Sequence, residues 1–203
     1  MISMVIIDVE SRFLTEREKE DMGFFYLGKH TRITRSSTIT DPKKVSVGDY
    51  TLISDHSLLT GWVTIGDWCH IAHYVHLSGG TEGIFIGDFV GVGSRSTMYT
   101  ENDDYYGEAM WTPAPEKYKK VDKGSIKIGN HVLIGWNSMV FPGVAVPSYT
   151  IFGARSMLKG RYFGESLFTS EGNKTAQFRK DLPTMKHNMD ILRKALYEEP
   201  EVY

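Results

Sequence analysis

The stretch Ile65-Gly66-Asp67-Trp68-Cys69-His70-Ile71 contains one complete unit of a six-residue repeat and the first residue of the next. Each unit begins with an aliphatic or aromatic residue, here called the anchor, which is often followed by glycine. The anchors recur six residues apart in three runs: Val47, Ile53, Leu59, Ile65, Ile71 and Leu77; Ile86, Val92 and Met98; and Ile128, Ile134, Val140, Val146, Phe152 and Leu158. A fixed short period of this kind indicates a repeat architecture.

A second column of small or β-branched residues follows the anchors at a distance of four: Thr51, Ser57, Val63, Cys69, Val75, Val90, Ser96, Val132, Ser138, Val144, Thr150 and Ser156. Six residues are too few for a helix but suit a short strand plus a corner, with both columns facing inward. Three units make one triangular coil, and stacked coils bury their inward residues against each other. We therefore predict an all-β fold, a parallel β-helix of hexapeptide repeats.

Three units carry a resemblance to a known family: Ile65-Gly66-Asp67-Trp68-Cys69-His70, Ile86-Gly87-Asp88-Phe89-Val90-Gly91 and Ile128-Gly129-Asn130-His131-Val132-Leu133. They are similar to the repeat of the hexapeptide-repeat acyltransferases, aliphatic-Gly-x-x-small-x, and the resemblance covers roughly residues 24 to 160. It implies a left-handed coil, a homotrimer with active sites between subunits, and acetyl-CoA as co-substrate in the groove between them. Fold alone does not fix the chemistry.

The repeat is interrupted between Met98 and Ile128, where 30 residues stand in place of six. The insertion, at about 99–125, contains Tyr99-Thr-x-x-Asp103-Asp104-Tyr105-x-Gly107 and Pro-Glu-Lys-Tyr at 115–118. These segments, with Phe13-Leu14-Thr15-x-x-Glu18 near the start, resemble a narrower branch, the nucleotide-amino-sugar N-acetyltransferases such as viosamine acetyltransferase. The branch implies a dTDP- or UDP-linked deoxyamino sugar as acceptor, in the synthesis of surface polysaccharide such as lipopolysaccharide.

The two ends differ from the repeat. Thr15 and Glu18 form a capping-box pattern and Gly23 is a stop signal, which predicts a short helix over 16–22. Asp181 and Pro183 suit the start of a C-terminal helix that carries an apolar stripe of Met185, Met189, Leu192 and Leu196. We expect three regions: a cap over 1–32, the β-helix over 33–160, and an extension over 161–203.

Composition narrows the class of protein. With 23 basic and 25 acidic residues the chain has no bulk charge to hold nucleic acid. Asp8 and Glu10 cut short the apolar start, so no secretory signal is expected, and no apolar stretch has the length of a membrane span. The single cysteine, Cys69, can form no internal disulfide and fits a reducing compartment. We expect a cytoplasmic protein without a membrane or nucleic-acid partner.

Asp103 is the first candidate for the proton acceptor. In galactoside-type members of the family a loop histidine is the base, and Asp103 stands in its place. A carboxylate with a pKa near 4 is a poor match for a sugar hydroxyl but an adequate acceptor for an ammonium proton, which favours N-acetylation. Asn102, Asp104 and Tyr105 are the predicted substrate-binding residues. The alternative is that Asp103 and Asp104 only begin a turn.

A run of histidines supplies the other candidates for the base. His73 lies two positions after an anchor, at a predicted corner, and His76 lies five after it, on an outward strand position. Outward histidines on a solenoid can face a neighbouring subunit, with a pKa suited to proton transfer. We rank His76 second and His73 third, the alternative being surface or interface histidines without a chemical role.

The acetyl-CoA site is expected on the coils that follow the insertion. Trp136 and Ala154 occupy the same corner position one coil apart. The resemblance implies that main-chain groups of this column contact the pantetheine arm, which makes Gly135, Trp136, Gly153 and Ala154 cofactor-binding candidates. Lys159 matches by position among the basic residues that would meet the phosphates. The glycines would otherwise mark tight corners, and Trp136 a subunit contact.

A zinc site is not expected. A carbonic anhydrase class shares the fold and binds zinc through histidines that include a pair five apart, whereas the spacing here is three and three. Such spacing cannot place all three side chains on one face of a coil. Our main hypothesis is therefore an acetyl-CoA-dependent sugar N-acetyltransferase. The rivals are an O-acetyltransferase, a non-catalytic scaffold and, third, the metal-dependent hydratase.

Overall fold

The computed structural model describes residues 10–103, 115–168, 176–178, 183–184, 186–187, 190–191 and 194. Its strands stack into three parallel sheets, which form the faces of a triangular solenoid. The chain passes from face 1 to face 2 through a first corner, from face 2 to face 3 through a second, and back to face 1 through a third. The parallel β-helix predicted from the repeat is confirmed.

The strands of each face follow in spatial order. Face 1 contains Tyr26–Leu27, Val45–Val47, Val63–Ile65, Ile84–Ile86, Ile126–Ile128 and Ala145–Val146. Face 2 contains Arg32–Ile33, Leu52–Ile53, His70–Ile71, Gly91–Val92, Leu133–Ile134, Ile151–Phe152, Ser166–Phe168 and Ala176–Phe178. Face 3 contains Thr38–Ile39, Leu58–Thr60, His76–Ser78, Thr97–Tyr99, Met139–Val140 and Met157–Leu158. Single 3₁₀ turns lie at Glu10–Arg12, Pro42–Lys44 and Glu116–Tyr118.

The core consists of the two columns identified in the sequence. No anchor is more than 4% exposed, and no member of the small-residue column is more than 5% exposed. The buried serine and threonine hydroxyls of the second column bond to backbone groups: Ser138 Oγ donates to the carbonyl of Gly135 and accepts from the N–H of Ser156. Polar residues are therefore tolerated in the core because their hydroxyls are hydrogen-bonded. Thr51, Ser57, Ser96 and Ser138 bond from one coil to the next, whereas Thr150 and Ser156 bond within their own corner.

The first corner is stabilised by side chains that repeat from coil to coil. Asp67 Oδ1 accepts from the N–H of Asp49, and Asp88 Oδ1 accepts from the N–H of Asp67. Beside these carboxylates the rings of His30, Tyr50, Trp68, Phe89, His131 and Tyr149 form a continuous stack. Each ring belongs to a residue with positive φ, which is uncommon for bulky side chains. We infer that ring stacking offsets the backbone strain of the corner.

The N-terminal end is closed as predicted. Glu16–Met22 is an α-helix with a complete capping box between Thr15 and Glu18, and Gly23 ends it in the left-handed conformation. Lys19 on its inner side is buried and donates to the carbonyl of Thr31, 2.6 Å away, at the start of the first coil. Parallel strand pairing begins at Tyr26 and continues to Phe168, past both limits of the expected 33–160 region.

The C-terminal extension ends the solenoid differently. Ala176–Phe178 pairs antiparallel with Ser166–Phe168, the last parallel strand of face 2. The described residues between 183 and 194 are helical, as predicted, and Lys186 bonds to Glu165 and lies over the ring of Tyr149. The predicted stripe residues Met185, Met189, Leu192 and Leu196 lie outside the described residues. Within the described part of the chain, no helix is long and apolar enough to cross a membrane.

The insertion leaves the solenoid at the third corner. Its two ends, Glu101–Asp103 and Val121–Lys123, pair as an antiparallel ribbon in which Asp103 lies opposite Val121. Lys123 forms an ion pair with Glu101. The ribbon thus forms the base of the insertion.

We predict that Ser138→Ala lowers the free energy of unfolding by about 1 to 3 kcal/mol, because the buried N–H of Ser156 loses its acceptor. Ser46→Ala, on the partly exposed side of a face 1 strand, is the matched control and should cost less than about 0.5 kcal/mol. Denaturant unfolding at equal protein concentrations measures both. Equal midpoints for the two variants would show that the inter-coil hydroxyl bond contributes nothing.

Candidate functional site

A groove of about 640 Å³ runs along the outer side of face 2 and the second corner. Three strands contribute the outward residues of its floor, His70, Gly91 and Leu133, which are aligned by the parallel register. The corner contributes His73, Ser94, Gly135 and Trp136. Three residues predicted from the sequence, His73, Gly135 and Trp136, are thus brought together.

The corner column predicted to hold the cofactor is continuous. A Cβ atom on Gly93 would lie 2.6 Å from the backbone nitrogen of Trp136, so glycine is required for the coils to stack here. Gly135 packs in the same way on Gly153 and Ala154 of the next coil. Trp136 is 65% exposed beside this column. The result is a strip of accessible backbone with an aromatic side chain along it.

Lys159 lies elsewhere. It follows the face 3 strand Met157–Leu158, and its ammonium lies 4.1 Å from the ring centre of Phe141. It is therefore on the far side of face 3 from the groove. Within one chain the structure does not bring Lys159 to the corner column.

The floor of the groove contains a histidine that the sequence analysis did not select. His70 Nε2 lies 3.0 Å from Ser54 Oγ, and Ser54 is only 3% exposed. Partial burial and the nearby His73 lower the pKa of His70, which favours the neutral imidazole at pH 7. Its position in the repeat could have identified it. His70 immediately precedes the anchor Ile71, and the residue before an anchor points outward on a strand, here next to the second corner.

His76 and His73 lie where the repeat predicts but are not neighbours in one site. His76 is on the outer side of face 3, between Leu58 and Thr97 of the adjacent coils, and burial lowers its pKa. His73 is exposed at the second corner and borders the groove. Of the two, only His73 lines the space next to Trp136.

The predicted substrate-binding segment lies at the third corner. Asn102 Nδ2 donates to the carbonyl of Asp103, which stiffens the end of the ribbon. A second groove of about 530 Å³ there is lined by Thr81, Glu101, Asn102, Asp103, Lys119, Val121 and Lys123. Asp104 and Tyr105 lie outside the described residues. All of face 3 separates this groove from Trp136 within the same chain.

Metal and thiol chemistry have little support in the described part of the chain. No group of three or more His, Cys, Asp or Glu side chains in it is arranged to hold a metal ion. Cys69 is buried in the core, and burial raises the pKa of its thiol to about 12. A thiol of that kind is not a nucleophile near neutral pH.

Comparison with known proteins finds acyltransferases among the similar sequences and structures. No family model matches the chain. An Escherichia coli protein named dTDP-4-amino-4,6-dideoxy-D-glucose acyltransferase is 30% identical over 151 residues, which are 72% of this chain and 78% of that protein. A hexapeptide-repeat acetyltransferase from Vibrio cholerae, solved with acetyl coenzyme A, shares the fold, with a TM-score of 0.54 at 19% identity over 82% of this chain and 78% of that one.

The N-acyltransferase AntD from Bacillus cereus is similar over nearly its whole length. Its complex with dTDP and 3-hydroxybutyryl-CoA has a TM-score of 0.83 and 32% identity, covering 90% of this chain and 98% of that one. A variant solved with dTDP-4-amino-4,6-dideoxyglucose and coenzyme A has a TM-score of 0.80 and 31% identity, covering 88% and 96%. These matches confirm the resemblance seen in the repeat and the insertion: the chain belongs to the hexapeptide-repeat sugar N-acyltransferases.

Proposed function

We propose that this protein transfers an acetyl group from acetyl-CoA to the amino group of a nucleotide-linked deoxyamino sugar. The observation that carries the proposal is the match to almost all of an N-acyltransferase whose structure holds both dTDP and an acyl-CoA. That relative favours dTDP over UDP as the nucleotide. The groove beside Trp136 supports the same function, because it joins the predicted cofactor column to an apolar, partly enclosed space. The product would serve surface-polysaccharide synthesis in the cytoplasm.

The reaction forms one bond and breaks one. The amine nitrogen attacks the thioester carbonyl carbon, a C–N bond forms, and the C–S bond breaks to release coenzyme A. The backbone of Gly135, Trp136, Gly153 and Ala154 would position the pantetheine arm, and a backbone N–H would hold the oxyanion. Asp103, with Asn102, Asp104 and Tyr105 beside it in the chain, would hold the amino group of the sugar.

We propose further that the active protein is a homotrimer with composite sites. Asp103 is at the third corner and Trp136 at the second, with face 3 between them. A single active site that uses both residues therefore needs the insertion of one subunit and the groove of another. Closed rotational symmetry would provide such a site at every interface.

We expect the purified protein to release coenzyme A from acetyl-CoA in the presence of a dTDP-linked 4-amino or 3-amino sugar, and not with dTDP-glucose. A thiol-reactive dye can measure the release, because buried Cys69 should stay unlabelled in the folded protein. Repeating the assay with butyryl-CoA and 3-hydroxybutyryl-CoA as donors would show which acyl group the protein transfers. Turnover with hydroxyl acceptors alone would favour O-acetylation, and binding of neither substrate would favour a scaffold.

We predict that Asp103→Asn lowers kcat about 10²-fold or more, because the acceptor ammonium loses its charged partner. Asp122→Asn is the matched control, since Asp122 is exposed on the opposite strand of the ribbon. Steady-state kinetics with the amino sugar would compare the two. If kcat is unchanged in Asp103→Asn, Asp103 has a structural role in the insertion and no role in the reaction.

We predict that two inactive variants complement each other. Asp103→Asn removes the residue on the insertion, and Gly91→Trp fills the groove, where a Cβ atom would meet only the side chain of Leu133. If sites form between subunits, co-expressed differently tagged chains should recover about a quarter of wild-type activity, since random mixing leaves one interface in four intact. No recovery in purified mixed trimers would place both residues in one subunit's site.

A further inference from the structure

The hydrogen-bonded pair of Ser54 and His70 has no part in the chemistry described so far. We propose that His70 accepts the proton of the acceptor amine during acyl transfer, with Ser54 as the residue that positions its ring. This inference rests on the proposed acyl-transfer function and adds the proton-transfer step to it.

The position of His70 is suited to reach the reacting atoms. It lies on the outer side of face 2, in the floor of the groove that Gly135 and Trp136 line at the second corner. On the next coil its register partner is Gly91, which has no side chain to cover the imidazole. An acyl group held at Trp136 and an acceptor entering the groove would meet next to this ring.

Ser54 fixes the orientation of the imidazole. Its hydroxyl is buried at the second corner, one coil before His70, at 3.0 Å from Nε2. In the tautomer with the proton on Nε2, this nitrogen donates to Ser54 Oγ and Nδ1 is left as the acceptor. A base held in one orientation loses little entropy when it takes the proton.

The electrostatic surroundings keep His70 available as a base. Its register neighbours Leu52 and Gly91 carry no charge, and the titratable group that faces it is His73. Burial of the ring and, second, the nearby His73 lower the pKa of His70 and so favour its neutral form. Near pH 7 a neutral imidazole is a stronger proton acceptor than a carboxylate. His70 would therefore take the proton, and Asp103 would pair with the charge of the acceptor.

The proton balance closes with one proton released to solvent. The acceptor ammonium first gives up that proton, and as the neutral amine nitrogen then bonds to the carbonyl carbon, a second proton moves from nitrogen to His70 Nδ1. When the C–S bond breaks, the imidazolium returns that proton to the departing thiolate. The products are the amide and coenzyme A in its thiol form, and His70 ends neutral.

The test compares His70→Asn, His70→Gln and Ser54→Ala in the full-length protein with a dTDP-amino sugar and acetyl-CoA. We expect kcat to fall about 10²- to 10⁴-fold in both His70 variants and about 10-fold in Ser54→Ala, with KM for acetyl-CoA little changed. His187→Asn, on the exposed C-terminal helix, and Ser46→Ala are the controls. Circular dichroism and the unfolding midpoint verify that each variant folds.

The pH profile separates a catalytic role from a structural one. Because the pKa of His70 is lowered from 6.5, wild-type kcat should fall as pH drops through a midpoint below 6.5, where the imidazole becomes protonated. The His70 variants should lose this limb. A folded His70→Asn protein with kcat within about threefold of wild type, or with an unchanged acid limb, overturns the proposal. Absence of wild-type turnover would instead contradict the proposed function.

Discussion

Every part of this molecule depends on one constraint: a coil is stable only against its neighbours. A single triangular coil has three short strands and cannot bury its two inward residues by itself. Stacking satisfies the backbone N–H and C=O groups and the core at the same time. At the first corner, hydrogen bonds from backbone N–H groups to carboxylates and stacking of aromatic rings also link successive coils along the solenoid axis. Stability is therefore distributed along the axis, and removal of an internal coil would expose the surfaces of both its neighbours.

This constraint also explains where chemistry can be located. Inward positions are fixed by packing and corner backbones by close approach, as at Gly93 and Gly135. The outward strand positions and the insertions are free to vary without loss of the fold. The residues His70 and Gly91 of the groove occupy outward strand positions. Asp103 lies on the ribbon at the base of the insertion. A rigid solenoid thus holds loosely constrained residues at defined distances along its axis.

The same reasoning separates what could be predicted from what could not. The anchors, the small-residue column, the capped helix and the point where the insertion leaves were predictable, because each follows from a period or a local hydrogen-bond pattern. The alignment of His73, Gly135 and Trp136 followed from the frame of the repeat. The Ser54–His70 pair did not, since it joins a buried corner side chain to an outward strand side chain of the next coil, and no period marks the two residues. The separation of Asp103 from the groove required knowing which corner each occupies.

The last strand has a consequence for the behaviour of the protein in a crowded cell. A solenoid that ended on a parallel strand would offer its open edge to the first coil of another molecule, and the repeat could then continue from chain to chain. Ala176–Phe178 runs the opposite way along the end of face 2, and the buried Lys19 of the N-terminal helix closes the other end. An edge strand that runs antiparallel to the others disfavours end-to-end pairing of one solenoid with another. The two ends of the solenoid thus prevent the end-to-end polymerisation that the repeat itself would otherwise permit.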